Sequence, residues 1–327
     1  MNFKPIIMVL GEPYSIFTEI FFKSINNKKI KKFKSKIILI GSRKLFQYQM
    51  EKLGFKYKIN EIQNKIDDIQ MKDDAINIIN TDFKFKKVFD KISGKSEKYI
   101  ENSFKISLDI IKKNKTLGLI NGPISKKYFL NKKFLGITEY LFKKTKTKKN
   151  PTMLIYNSKI SVSPVTTHLP IKFVAKNLNS KKIVNNVLEI NKFYKLKLNK
   201  IPKFAVLGLN PHCETIDSFS EEEKIIKPAI KFIKSKKINV SGPFSADTFF
   251  LEKNLKKFDV VIGMYHDQVL TPMKTLYKFD AINLTLGLPF TRISPDHGPN
   301  NDMLGKNISN PDSLISAINF IKKINAS

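Results

Sequence analysis

Of the 327 residues only one is cysteine, Cys213, so no disulfide can form within the chain, and a reducing compartment such as the cytoplasm is expected. Tryptophan is absent and arginine nearly so: Arg43 and Arg292 are the only two among 59 basic residues. No apolar run reaches the length needed to span a bilayer, and the opening "PIIMVL" (5–10) lacks the flanks of a secretory signal, so no membrane association is expected. Glycine is sparse too, with 13 residues, and "GEPYSIFTEI" (11–20) after the first apolar run carries one. A G-x-G-x-x-G pyrophosphate loop is therefore excluded there.

Lysine supplies most of the charged residues. The formal charge of +31 invites a nucleic-acid reading, but it is spread along the whole chain and made almost wholly of lysine. A protein that grips bases uses arginine forks and a localised patch, so no nucleic-acid partner is expected. The charge reads instead as a solvated surface whose field draws small anions inward. With 42% apolar residues, including 26 phenylalanines, the chain can build a real core in one large domain or two.

Short apolar runs alternate with amphipathic stretches. "PIIMVL", "KIILIG" (36–41), "AINIIN" (75–80), "TLGLIN" (116–121), "PTMLIYN" (151–157), "KISVSPV" (159–165), "KFAVLGLN" (203–210), "DVVIGM" (259–264) and "AINLTL" (281–286) predict strands. "KSEKYIENSFKISLDIIKKN" (95–114) has helical spacing, and "SEEEKIIKPAIKFIKS" (220–235) places three glutamates where a helix dipole favours them. The alternation predicts an α/β protein with mostly parallel sheet. The lysine-rich "LFKKTKTKKN" (141–150) reads as an exposed connection.

Three of the four histidines stand just past the end of a predicted strand: His168 after "KISVSPVTT", His212 after "KFAVLGLNP" and His266 after "DVVIGMY". The C-terminal ends of parallel strands line one edge of a sheet, where ligands collect. Three imidazoles there can form an open site for a divalent metal with positions left for substrate. The alternative for each is an ordinary loop residue. Asp247, in "SGPFSADTFF", is a candidate to orient an imidazole, bind the metal or accept a proton, and alternatively an N-cap. Cys213 reads as a packing residue. Lys274, Asn283 and Arg292 fall on or after the last strand motifs. Arg292 stands out because the chain so seldom uses arginine, and a bidentate grip on an anion is a task lysine does poorly.

Taken in order, "GEP" (11–13), "NGPISK" (121–126), "GITEYL" (136–141), "VTTHLP" (165–170), "GLNPH" (208–212), "GPFSADT" (242–248), "MYHDQ" (264–268), "NLTLGLPF" (283–290) and "DHG" (296–298) resemble the 4-hydroxythreonine-4-phosphate dehydrogenase family of pyridoxal phosphate biosynthesis. The resemblance implies two α/β/α domains of the isocitrate and isopropylmalate dehydrogenase kind, with the active site in the interdomain cleft. They are expected at 1–135 plus 286–327 and at 136–285. It implies a divalent metal (zinc, magnesium or cobalt) on His168, His212 and His266, and substrate contacts at Thr138, Lys274, Asn283 and Arg292. NAD or NADP is the implied hydride acceptor. Homodimers are implied, with one copy lending a metal histidine to the other's site. With the site shared between copies, inactive His168→Ala and His266→Ala chains are expected to complement when mixed.

One departure bears on the substrate: Ile137 stands where the family has histidine. The implied reaction is oxidation of 4-phosphooxy-L-threonine at C3, then decarboxylation. A related dehydrogenase for another four-carbon hydroxy acid, or a metal-dependent hydrolase using the same histidines, are the alternatives. The hydrolase predicts no nicotinamide reduction.

Overall fold

The apolar runs fold as strands. A computed structural model of the chain describes residues 4–31, 36–63, 71–113, 116–129, 134, 136–147, 151–215, 219–278, 281–295 and 297–325. Asp296 of "DHG" and the end of the lysine-rich connection, 148–150, lie outside them. The strands are β1 (Ile6–Val9), β2 (Ile37–Gly41), β3 (Lys58–Glu61), β4 (Ala75–Asn80), β5 (Gly118–Asn121) and β6 (Thr152–Tyr156). They continue with β7 (Ser161–Thr166), β8 (Phe204–Leu207), β9 (Val240–Phe244), β10 (Val260–Tyr265), β11 (Ile282–Leu286) and β12 (Arg292–Pro295).

The chain divides into two compact units, Met1–Lys148 with Leu288–Ala326, and Lys149–Gly287. The helix Ile137–Lys144 therefore belongs to the first unit, beyond the expected break at residue 135, because its Tyr140 and Leu141 are buried in that unit's core. In the first unit the strands run β3-β4-β2-β1-β5-β12, every neighbouring pair parallel. Apolar side chains of β1, β2 and β5 meet Tyr99, Ile100 and Phe104 of the helix Glu97–Lys113 in one cluster. Where β1 and β5 end, the backbones come so close that a Cβ on Gly122 would overlap the Leu10 carbonyl.

In the second unit the order is β11-β6-β7-β10-β8-β9. The pairs β11–β6 and β6–β7 are antiparallel, and β7–β10, β10–β8 and β8–β9 are parallel. Its core joins β7, β8 and β10 to Val269, Leu270 and Met273 of the helix His266–Tyr277.

Three strands carry no long apolar run. β3 and β9 lie at the outer ends of their units' strand orders and are partly exposed, as an edge permits. β12 is four residues long and includes Arg292. The glutamate-rich stretch begins as a π-turn, Glu222–Ile226, ahead of the helix Lys227–Ser235. Glu222 is fully buried there rather than solvated at a helix end.

Candidate metal and substrate site

The strand order of the second unit brings together what the chain keeps far apart. The parallel strands β7, β10, β8 and β9 stand side by side, and their C-terminal ends lead to His168, His266, His212 and Asp247 in that spatial order. His266 is the first residue of the helix that follows β10. His168 and His212 sit in loops with φ of 53° and 54°, a left-handed backbone uncommon outside glycine.

Neighbouring strands make neighbouring side chains. The rings of His168 and His266 lie 5.8 Å apart between centroids. His266 Nδ1 lies 2.6 Å from Asp267 Oδ1, which leaves Nε2 as the nitrogen available to a ligand. A carboxylate behind an imidazole in this way fixes ring and tautomer and raises ligand basicity. Two imidazoles that share one ion at about 2.1 Å place their centroids roughly 5–6 Å apart, so this pair fits two positions of a tetrahedral metal. His212 is placed differently: its side chain is 75% exposed and its Nδ1 is 3.7 Å from Asp247 Oδ2. Among the described residues no group of three or more histidine, cysteine, aspartate or glutamate side chains could hold a metal within one copy of the chain. The structure thus pairs His168 with His266 and sets His212 apart with Asp247.

Asp247 lies in the first turn of the short helix Ala246–Phe249, whose N-cap is Ser245. Its Oδ1 accepts from Ser245 Oγ at 2.6 Å and from the Thr248 N–H at 2.8 Å. The Ser245 hydroxyl above all, then the Thr248 N–H and His212, hold this carboxyl below the usual aspartate range. Such a group stays ionised and takes up a proton weakly, which suits charge balance for His212 better than general-base work. Burial beside Gly208, with Glu222 adding to it, pushes the Cys213 thiol up, as befits a packing residue.

Several residues that sequence reading passed over build this edge. Glu222 Oε1 accepts from the N–H groups of Leu209 and Asn210 at 2.7 and 2.9 Å, holding the loop that ends in His212. Burial raises its carboxyl, but these bonds and that from the Asn210 side chain outweigh burial and leave it below the ordinary value. Gln268 and Thr166, within the quoted motifs, bond across strand ends. The only advance signal for them was their place beside the histidines.

Of the expected substrate residues, Lys274 is exposed on the helix His266–Tyr277. Asn283 is half-buried on β11, with its Oδ1 buried and without a hydrogen-bond partner. In the first unit Thr138 is the second residue of the helix Ile137–Lys144. Ile137 packs against that unit's core. Arg292 opens β12, is only 2% exposed, and donates from Nε to Asn121 Oδ1 at 2.8 Å. Burial pulls its guanidinium down to about 10, partly offset by Glu139, so it remains a cation near neutral pH. Glu12 of "GEP" is buried at the end of β1, accepting from Ser96 Oγ at 2.9 Å and the Ser125 N–H at 3.2 Å. Burial raises its carboxyl above the ordinary value despite both bonds. Nearby, Phe89, Lys91, Ser125, Tyr128, Asn300 and Asp302 line part of a cleft of about 780 Å³.

Comparison with known proteins places this geometry. The family model described as "Pyridoxal phosphate biosynthetic protein PdxA" matches residues 33–321. The 4-hydroxythreonine-4-phosphate dehydrogenase of Sulfurihydrogenibium sp. is 36% identical over 315 residues, covering 95% of each chain. That of Caulobacter vibrioides is 28% identical, covering 100% of this chain and 99% of its own. The crystal structure of the Klebsiella pneumoniae 4-hydroxythreonine-4-phosphate dehydrogenase has the same fold, with a TM-score of 0.82 at 24% identity over 98% of this chain and 99% of that one. With its two α/β units and strand-end histidines, this chain belongs to the PdxA family of pyridoxal phosphate biosynthetic proteins.

Proposed function

We propose that the chain oxidises 4-phosphooxy-L-threonine at C3 with NAD or NADP and releases carbon dioxide to give 3-amino-2-oxopropyl phosphate, a step of pyridoxal 5′-phosphate biosynthesis. Family membership over nearly the whole chain supports this reading. The observation that carries it to chemistry is the pair of imidazoles, His168 and His266, at the ends of adjacent parallel strands.

A divalent cation, when bound, supplies Lewis acidity that eases loss of the hydroxyl proton and stabilises the negative charge left by departing carbon dioxide. His168 and His266 would hold it from one copy of the chain, and nitrogen donors favour zinc or cobalt over magnesium. His212 would come from a second copy, making the enzyme a homodimer with shared sites. Two features support the dimer: His212 stands apart from the pair within one chain, and Ile171 and Phe173, just past His168, are 68% and 42% exposed. Asp267 and Asp247 orient and balance the imidazoles.

Arg292 and Lys274 attract the anionic ends of the substrate, and Thr138 and Asn283 supply neutral hydrogen bonds, Asn283 through its buried Oδ1. The cleft of about 780 Å³ in the first unit is of the size that takes a dinucleotide portion, with Phe89 and Tyr128 as stacking surfaces for its base. The free Cys213 and the soluble-enzyme character of the family suit the cytoplasm. Among the described residues no helix is long and apolar enough to cross a membrane.

The test is reduction of nicotinamide, followed by absorbance, with the full chain, 4-phosphooxy-L-threonine and each divalent metal in turn. Absence of reduction with NAD and NADP under every metal would overturn the proposal. Ile137 favours one second reading, a dehydrogenase for another four-carbon hydroxy acid, since a side chain packed on the core stands beside Thr138 in place of a polar one. A panel of such acids separates the two: higher kcat/KM on an unphosphorylated acid selects the second.

A further inference from the structure

Three hydrogen bonds run across the strand ends from which the histidines spring. Thr166 Oγ1, the last residue of β7, donates to the Met264 carbonyl on β10 at 2.7 Å. The Met264 N–H donates at 2.7 Å to Gln268 Oε1, one turn into the helix after β10. Gln268 Nε2 then donates at 2.7 Å to the carbonyl of Gly208, just past β8. Glu222 continues the line by holding the next two N–H groups, those of Leu209 and Asn210. Thr166 and Gln268 are both buried, so no solvent competes for these bonds. Each bonded residue is within a few positions of a histidine: Thr166 of His168, Met264 of His266, Gly208 of His212.

A sheet already fixes strand spacing where the ladders run. It ceases to do so past the strand ends, and that is where the imidazoles are. The ladder between β10 and β8 ends at Ile262 with Val206, short of His266 and His212, whereas that between β10 and β7 runs to Tyr265 with Thr166. Gln268 spans this unpaired stretch. Room for it is tight: a Cβ on Gly263 would lie 3.0 Å from Gln268 Oε1 and 2.5 Å from Val269 Cγ1.

Resting on the metal reading above, we propose that Thr166 and Gln268 are positioning residues that fix the His168 and His266 loops relative to each other, through the Met264 carbonyl and N–H respectively, and thereby set the affinity for the divalent cation. Neither touches the metal. Their effect is geometric: a tetrahedral ion accepts its nitrogens within a narrow range, and loops freed to separate must be drawn back on each binding event.

The experiment titrates the full chain with cobalt(II), followed by its visible absorption and by chelator competition, in Gln268→Leu, Thr166→Val, Thr166→Ser and His266→Ala. Losing outer partners of metal ligands typically weakens binding about 10- to 100-fold, and that loss is expected for Gln268→Leu and Thr166→Val. Thr166→Ser keeps the hydroxyl and should bind like the parent, while KM for the dinucleotide stays unchanged in the Thr166 and Gln268 variants. Parental cobalt affinity in both Gln268→Leu and Thr166→Val, or a loss in Thr166→Ser equal to that in Thr166→Val, overturns the positioning role. His266→Ala separates the two levels. If it too binds cobalt like the parent, the metal reading itself fails; if it alone loses cobalt, only the present inference does.

Discussion

Replacing Asn121 with alanine removes the acceptor that Arg292 Nε faces, together with the Asn121 Nδ2 bond to the Gly122 carbonyl. Its Nε–H···Oδ1 bond to Asn121 is 2.8 Å long, and both residues are 2% exposed, so water cannot replace the lost acceptor. A hydrogen bond to a charged group contributes about 1.5–3 kcal/mol, and a buried donor left unsatisfied forfeits a similar amount. The guanidinium has another attraction, the Glu139 carboxylate, whose Oε2 is buried without a hydrogen-bond partner. Freed from Asn121, Arg292 should turn toward Glu139 and lose its aim at the substrate anion that the proposed function assigns to it. Spread over anion binding alone, the same energy corresponds to roughly a 10- to 150-fold fall in kcat/KM for the phosphorylated substrate. Initial rates at saturating dinucleotide measure it. Substrate kcat/KM within about twofold of the parent would refute the reasoning, as would an equal rise in KM for the dinucleotide, which would mark general damage to the first unit.

Two buried glutamates should respond to pH with opposite signs. Glu222 has a folded value below the ordinary 4.5, so its contribution to stability is present above 4.5 and lost as pH falls through the lowered value. Glu12 has a folded value above 4.5, so stability is greater below 4.5 and declines as pH rises through the raised value. Urea midpoints against pH should therefore converge for Glu222→Gln and its parent at acid pH, while Glu12→Gln should equal or exceed the parent near neutrality; parallel curves would contradict both. Gly122→Ala drives a Cβ into the Leu10 backbone, and the overpacking should cost about 1–3 kcal/mol in a denaturation midpoint. His168→Ala and His266→Ala should each lose bound metal and turnover together, as metal analysis of the purified variants would register.

Much of the fold is legible because a strand covered on both faces is apolar on both, and nine apolar runs became nine strands, seven in parallel pairing and two, β6 and β11, antiparallel. β3 and β9, at the edges, lack that constraint and left no run to read. The histidines were visible as strand-end residues, but which of them meet was not, since strand order is a property of the sheet: β10 lies between β7 and β8, so His266 meets His168. Glu222 shows the opposite failure. Three adjacent glutamates look alike in sequence, and only the closure of the 208–210 loop onto the middle one distinguishes it. Arg292 was noticed because arginine is rare here; Asn121, its partner 171 positions earlier, carried no such mark.

The pairing of His168 with His266 changes the expected complementation. In the proposed shared site both belong to one copy's share, so variants lacking either should not rescue each other, whereas His212→Ala should rescue either one. In an equal mixture of His212→Ala and His266→Ala chains, half of randomly formed dimers are mixed and each holds one intact site, giving about one quarter of parental turnover. Restoration to that level, with none from His168→Ala mixed with His266→Ala, is the result expected. Restoration from the His168 and His266 mixture, or none from the His212 mixture in verified mixed dimers, would contradict the shared site.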